Sequence, residues 1–185
     1  RFYKTWYRPD LMAVIAVGDM DPQRIKQLIR QHFSSIANPQ KEQPRKLYPV
    51  PDHPTTLYSI ASDKEANRSS ISLYYLLPTE KEKTFNDYRQ QIVEALFSGM
   101  FNARFSELAQ KKDPPFVYAY SYKGNLVRTK DAYILGAMTK DNGIPRALKA
   151  ILTEAKRVKD FGFTSTELQR QKKALLRGME KSYAE

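Results

Sequence analysis

The sequence predicts an α+β fold, a two-layer sandwich with a mostly antiparallel sheet and helices packed on one face. Three observations predict it. Apolar runs rich in strand formers, "SSISLYYLLP", "FVYAYSYKGNLVR" and "DAYILGAMTK", are bounded by turn residues. Longer stretches with a 3.6-residue apolar period and recognisable start signals lie between them. Strands that come in adjacent pairs, with helices separating the pairs, favour antiparallel pairing with the helices gathered on one side.

The elements follow in chain order. Residues 1–8 read as the end of a helix, with Phe2, Tyr3, Trp6 and Tyr7 on one face. Pro9 closes it, because a residue before proline is pushed out of the α region. "LMAVIAV", residues 11–17, is an apolar run rich in Val and Ile ahead of Gly18, and reads as a buried strand. Asp21 caps the next helix with Pro22 at its first position, and Ile25, Leu28, Ile29, His32 and Phe33 form its inner face. "NPQKEQPRKLYPVPDHPTT" is proline-rich and polar, and reads as an extended connector. "TLYSIAS", residues 56–62, and the run closed by Pro78 are strand-like. Thr84 caps a long helix carrying Phe85, Tyr88, Ile92, Val93, Leu96, Met100, Phe105 and Leu108, which "KKDPP" breaks. Two neighbouring strands follow, then a helix over Pro145 to Phe161. The last helix starts near Thr164, whose spacing to Glu167 is that of a capping box.

A chain of 185 residues suffices for one domain with a proper core. No apolar run approaches the ~18 residues of a membrane span. The absence of cysteine excludes disulfides and thiolate chemistry. Thirty-one Lys and Arg against twenty Asp and Glu give a net charge of +11. That charge suits an anionic partner, but the basic residues are scattered over the whole chain, which is the pattern of a solvated surface.

Catalytic chemistry is hard to place. A zinc site needs three or four ligands in tetrahedral reach, and the chain has two histidines, His32 and His53, neither in H-E-x-x-H or H-x-x-E-H. His32, among apolar helix positions, reads as a packed core histidine, and His53 as a solvated one. No G-x-S-x-G elbow, Walker loop or G-x-G-x-x-G is present. By its own residues the chain is not a self-sufficient enzyme, with no catalytic and no metal-ligating residue. Phe116, Tyr118, Tyr120 and Tyr122 have the period-two spacing of one strand face. Such a row suits a stacking platform for single-stranded nucleic acid, yet "KGNLVRT" lacks the aromatics of an RNA-recognition signature. Aromatics filling the space between sheet and helix is the simpler reading.

"FYKTWYRPDLMAVIAVGDMDPQRIKQLIRQHF" closely resembles a segment of the pitrilysin/insulinase family of zinc metallopeptidases, the inverzincins. Phe2, Trp6, Tyr7, Pro9, Met12, Val17, Gly18, Asp19 and Asp21 carry the match. It continues less tightly through "SSISLYYLLP" and "LFSGMFNARFSELAQ" into the strands after "KKDPPF". The resemblance implies the family's sandwich fold and homologous domains arranged in pairs around a chamber for unfolded peptides. It implies zinc held by H-x-x-E-H in an upstream domain, with no cofactor in this chain. Residues 1–185 are then a single non-catalytic domain of a longer chain. It supports the catalytic domain, lines part of the chamber, and has that domain and the parent's second half as partners, with a peptide as substrate.

Within the family, the domain that completes the active site carries a pattern like E-L-R-E-x-x-G-x-x-Y. Here "SELAQKKDPPFVYAY" has Glu107 and Leu108 but Ala109 at the arginine position. Lys111 has the right spacing to Tyr118, but a lysine cannot reproduce a bidentate guanidinium. The resemblance therefore points to the structural partner of the zinc-bearing half, with Arg104, Tyr118 and Tyr120 lining the chamber. Two alternatives stand beside it. One is a stand-alone module for an anionic polymer such as single-stranded nucleic acid; the other is a processing-peptidase-like structural subunit. The localisation is left open: export to a periplasm is compatible with a bacterial member of the family, and nothing in the residues shows it.

Overall fold

A computed structural model describes residues 2–41, 43–80, 83–140 and 142–184. The chain divides into two compact units, Arg1–Leu47 and Tyr48–Glu185.

The first unit holds helix α1 (Phe2–Trp6), a short 3-10 turn at Pro9–Leu11 and helix α2 (Pro22–Phe33). The aromatic pairs of α1 are one turn apart and meet as the helical period requires: Tyr3 stacks on Tyr7 at 4.4 Å and Phe2 lies 6.5 Å from Trp6. Asp21 caps α2 by accepting from Gln23 N, with Pro22 at the first position. Arg8 pairs with Asp10 and donates to the Gln43 carbonyl, while Asp10 N donates to Asn38, so the two ends of the unit are tied together.

Two sequence expectations fail here. Residues 11–17 form no strand, and Ile15 and Val17 are 82% and 90% exposed. A strand is stabilised by cross-strand pairs, and the described residues of this unit contain no other strand to supply them. His32 is exposed on α2, not packed in a core, because only Ile25, Leu28 and Ile29 of the proposed inner face are half-buried.

The second unit contains strands β1 (Ser69–Leu77), β2 (Tyr118–Val127) and β3 (Lys130–Thr139), with helices α3 (Phe85–Ala109), α4 (Ile144–Phe161) and α5 (Ser165–Ala184). The sheet is antiparallel in the order β1-β3-β2, with Leu73 opposite Leu135 and Ser121 opposite Leu135 on the other side. Odd-numbered residues of the strands, among them Ile71, Leu73, Leu135, Ala137 and Ala119, join Phe101 and Phe105 of α3 and Ala147 and Ile151 of α4 in one core. One face of the sheet thus carries the helices, and the even-numbered side chains point to the other. α5 packs against α3. The anticipated strand at residues 56–62 is also absent: Ile60 is 95% exposed, and among the described residues no strand pairs with the outer edge of β1.

The start signals read from the sequence have the geometry they imply. Thr84 and Asp87 form a reciprocal capping box at α3, and Thr164 and Glu167 exchange the same two bonds at α5. α4 ends at Gly162, whose φ of +66° is a left-handed conformation that glycine adopts without steric cost.

Candidate functional site

The residues that the family resemblance places along a chamber wall separate into two environments. Arg104, on α3, is turned into the helical layer, with its side chain 15% exposed. Its Nε and Nη2 donate to the two carboxylate oxygens of Glu167, its Nη1 to Glu154, and Nη2 also to the Gly162 carbonyl. The guanidinium lies 4.8 Å from the Phe163 ring. One side chain thereby ties α3 to α4, to α5 and to the turn between them. Hydrogen bonds from Arg104, added to those from Thr164, hold the Glu167 carboxyl at about 2.

Tyr118 and Tyr120 lie on the opposite face of the sheet, with Tyr122. Ring centroids are 6.2 Å apart at each step, so the three form a ladder along β2. Tyr118 and Tyr122 are 46% and 47% exposed. Tyr120 crosses the sheet over Gly136: an added Cβ there would stand 2.4 Å from Tyr120 Cζ. The Tyr120 hydroxyl lies 3.4 Å from Ser72 Oγ on β1. Gly136 is what allows the ring to lie flat. Ile134, between Tyr74 and Tyr122 in register, is 4% exposed.

Phe116 departs from the row and packs in the core against Phe105. Val117 N donates to the Met138 carbonyl, although Met138 already faces Tyr118 in register. Phe116 precedes β2, outside the regular alternation of the strand, and turns to the helix side. The preceding turn is fixed by Arg146, which donates to both carboxylate oxygens of Asp113 and to its carbonyl. That clamp occupies the stretch between Ala109 and Tyr118.

Asn102 was given no role by the sequence. Its side-chain amide donates to the Ser121 carbonyl and accepts from Ser121 N, completing both backbone groups in the middle of β2. A lone asparagine in a helix carries no pattern that would have revealed this. At the far end of β2 a cavity of about 480 Å³ is lined by Lys123, Glu80, Glu94 and Asp131, among others. Lys123 bonds Glu80 and Glu94, and Asp131 accepts from Asn125 and Glu80 N, so these charges are already matched.

The described residues offer no fit for zinc. Among the described residues no group of three or more His, Asp or Glu side chains is placed to hold a metal ion. His32 and His53 fall in separate units, and His53 donates from Nδ1 to the Thr55 carbonyl.

A family model described as the Peptidase M16 inactive domain matches residues 1–175. The chain is 35% identical over 117 residues to a zinc protease PQQL-like protein of Arabidopsis thaliana, covering 63% of this chain and 12% of that one. It is 25% identical over 170 residues to the probable zinc protease PqqL of Escherichia coli, covering 91% of this chain and 18% of that one. Among solved structures, the first half of the periplasmic protease PqqL from Escherichia coli superposes with a TM-score of 0.79 at 23% identity, over 98% of this chain and 39% of that one. A protease from Helicobacter pylori gives 0.78 at 20% identity, over 100% and 44%. The chain spans less than a fifth of the length of these curated relatives.

Proposed function

The chain belongs to the M16 peptidases, as their inactive domain, and from that premise we propose that residues 1–185 form one non-catalytic domain of a longer zinc peptidase. The observation that carries this is the match of 175 residues to the inactive domain, in a chain whose described residues assemble no metal ligands. The zinc, its H-x-x-E-H ligands and the hydrolytic water belong to another domain of the parent. This domain supports that one and contributes a wall to the space in which an unfolded peptide is held. Tyr118 and Tyr120 are the wall residues; Arg104 serves by fixing the helices behind the sheet. The segment that supplies an arginine and a tyrosine to the reaction elsewhere in the family has Ala109 here, so Tyr118 contacts substrate without stabilising an oxyanion. The tyrosine-bearing sheet face also disfavours the nucleic-acid reading, since its aromatic row is not interleaved with cations.

The test compares the full-length protein with residues 1–185 alone. The full-length protein is expected to cleave an unstructured fluorogenic peptide and to stop on chelation. The isolated chain is expected to retain no stoichiometric zinc after mild chelation and to cleave nothing. Retained zinc or metal-dependent cleavage by the isolated chain would sink the proposal.

A further inference from the structure

We propose that the ladder Tyr118–Tyr120–Tyr122, with Tyr74 across the sheet, docks extended, uncharged polypeptide segments that carry bulky apolar or aromatic side chains at alternate positions. The inference rests on the chamber reading above and names the substrate feature that the wall selects.

Three properties of the face support it. The first is charge. In a chain that is 28% charged, the side chains sent to this face from Ser70 to Leu76, from Tyr118 to Tyr122 and from Ala132 to Met138 carry none. Arg68, whose guanidinium reaches Met138 Sδ at 3.7 Å, marks one corner of this uncharged field. The matching partner is uncharged, because away from that corner an acidic or basic side chain desolvated here finds no counter-ion. The second is pitch. Rings repeat every 6.2 Å, and an extended chain repeats its same-face side chains every two residues, about 6.6–6.8 Å. An extended segment laid along β2 can seat successive side chains between successive rings.

The third is rigidity. Ile134 forms a buried floor, and Tyr120 is held over Gly136 with its hydroxyl beside Ser72. Fixing the rings before binding reduces the ordering cost of association. Contact through side chains is favoured in the middle of β2, because Asn102 already satisfies both backbone groups of Ser121 that a strand joining this edge would need.

The experiment uses the full-length protein with its metal removed, so that binding is read without turnover. The probes are a short end-capped fluorescent peptide with Leu or Phe at every second position, a scrambled peptide of the same composition with those residues adjacent, and single-stranded oligothymidine. Anisotropy is expected to show the alternating peptide bound more tightly than the scrambled one. Replacing both exposed rings, Tyr118→Ser with Tyr122→Ser, should weaken the alternating peptide about tenfold, as two aromatic contacts of about 0.5–1.5 kcal/mol each imply. The paired Phe variants should restore it. Wild-type affinity in the serine pair, equal loss for the scrambled peptide, or an oligothymidine signal that disappears with the rings would each overturn the proposal. If the serine pair lowers the melting temperature, a benzoylphenylalanine peptide decides instead. Photolabelling of β2 in the wild type supports the ladder, and labelling elsewhere overturns it. Failure of the zinc-loaded protein to cleave any unstructured peptide would count against the chamber reading alone.

Discussion

Sixty-three positions separate Arg104 from Glu167, and the contact between them decides how the last helix is held. Glu167 has two roles: it closes the capping box with Thr164 and receives two hydrogen bonds from the guanidinium. Its carboxyl is held at about 2 against an ordinary 4.5, chiefly by the Arg104 hydrogen bonds. A carboxyl depressed in the folded state contributes stability that is complete above its unfolded value and lost as pH falls from about 4.5 toward about 2. Glu167→Gln should therefore lower stability near neutral pH by on the order of 2 kcal/mol and flatten that acid limb. Denaturant unfolding at a series of pH values reads both effects, and an unchanged acid limb would assign the titration to other carboxylates. The capping half of this arrangement was legible, because it is a local spacing. The Arg104 half was not: a single long-range ion pair leaves no periodic mark, and from sequence that arginine reads equally well as a wall residue.

At the scale of elements, start signals transferred well and strand partners did not. The three strands that formed, and all the helices that follow them, lie where period and caps put them. Residues 11–17 and 56–62 have the composition of strands without a ladder, because composition specifies a suitable surface while pairing depends on what else is nearby. Phe116 shows the same limit on a smaller scale: β2 starts only at Tyr118, so Phe116 lies outside the alternation and packs in the core, and period-two spacing does not say where a strand begins. The long helix α3 offers a test of how burial sorts residues that look alike in sequence. Phe105 is fully buried against Phe101 and Phe116, whereas Phe85, on the same helix, is 95% exposed. Phe105→Ala should cost about 3–5 kcal/mol through the cavity it leaves, and Phe85→Ala should stay within about 0.5 kcal/mol. Chemical denaturation of the two variants measures the contrast. Equal losses would mean that α3 does not present the face described.

For the whole molecule the question is what a net charge of +11 does when its basic residues are spread along the whole sequence. Several cations are already engaged: Arg104 with Glu154 and Glu167, Lys123 with Glu80 and Glu94, Lys130 with Asp52 and Arg146 with Asp113. The tyrosine ladder, where bases would stack, lies in the uncharged part of the sheet. A polyanion therefore meets general attraction at some places and aromatic rings at another, which gives counterion release without base reading. Single-stranded oligonucleotides should bind measurably at low salt, with little difference between thymidine and adenosine tracts. Affinity should fall steeply toward physiological salt, with a log–log slope near −0.7 for each phosphate neutralised on a single strand. Titration of both tracts at two salt concentrations is the measurement. Tight binding that survives physiological salt and distinguishes the tracts would require cations and rings to act at one site, and would return the strand β2 to the nucleic-acid reading.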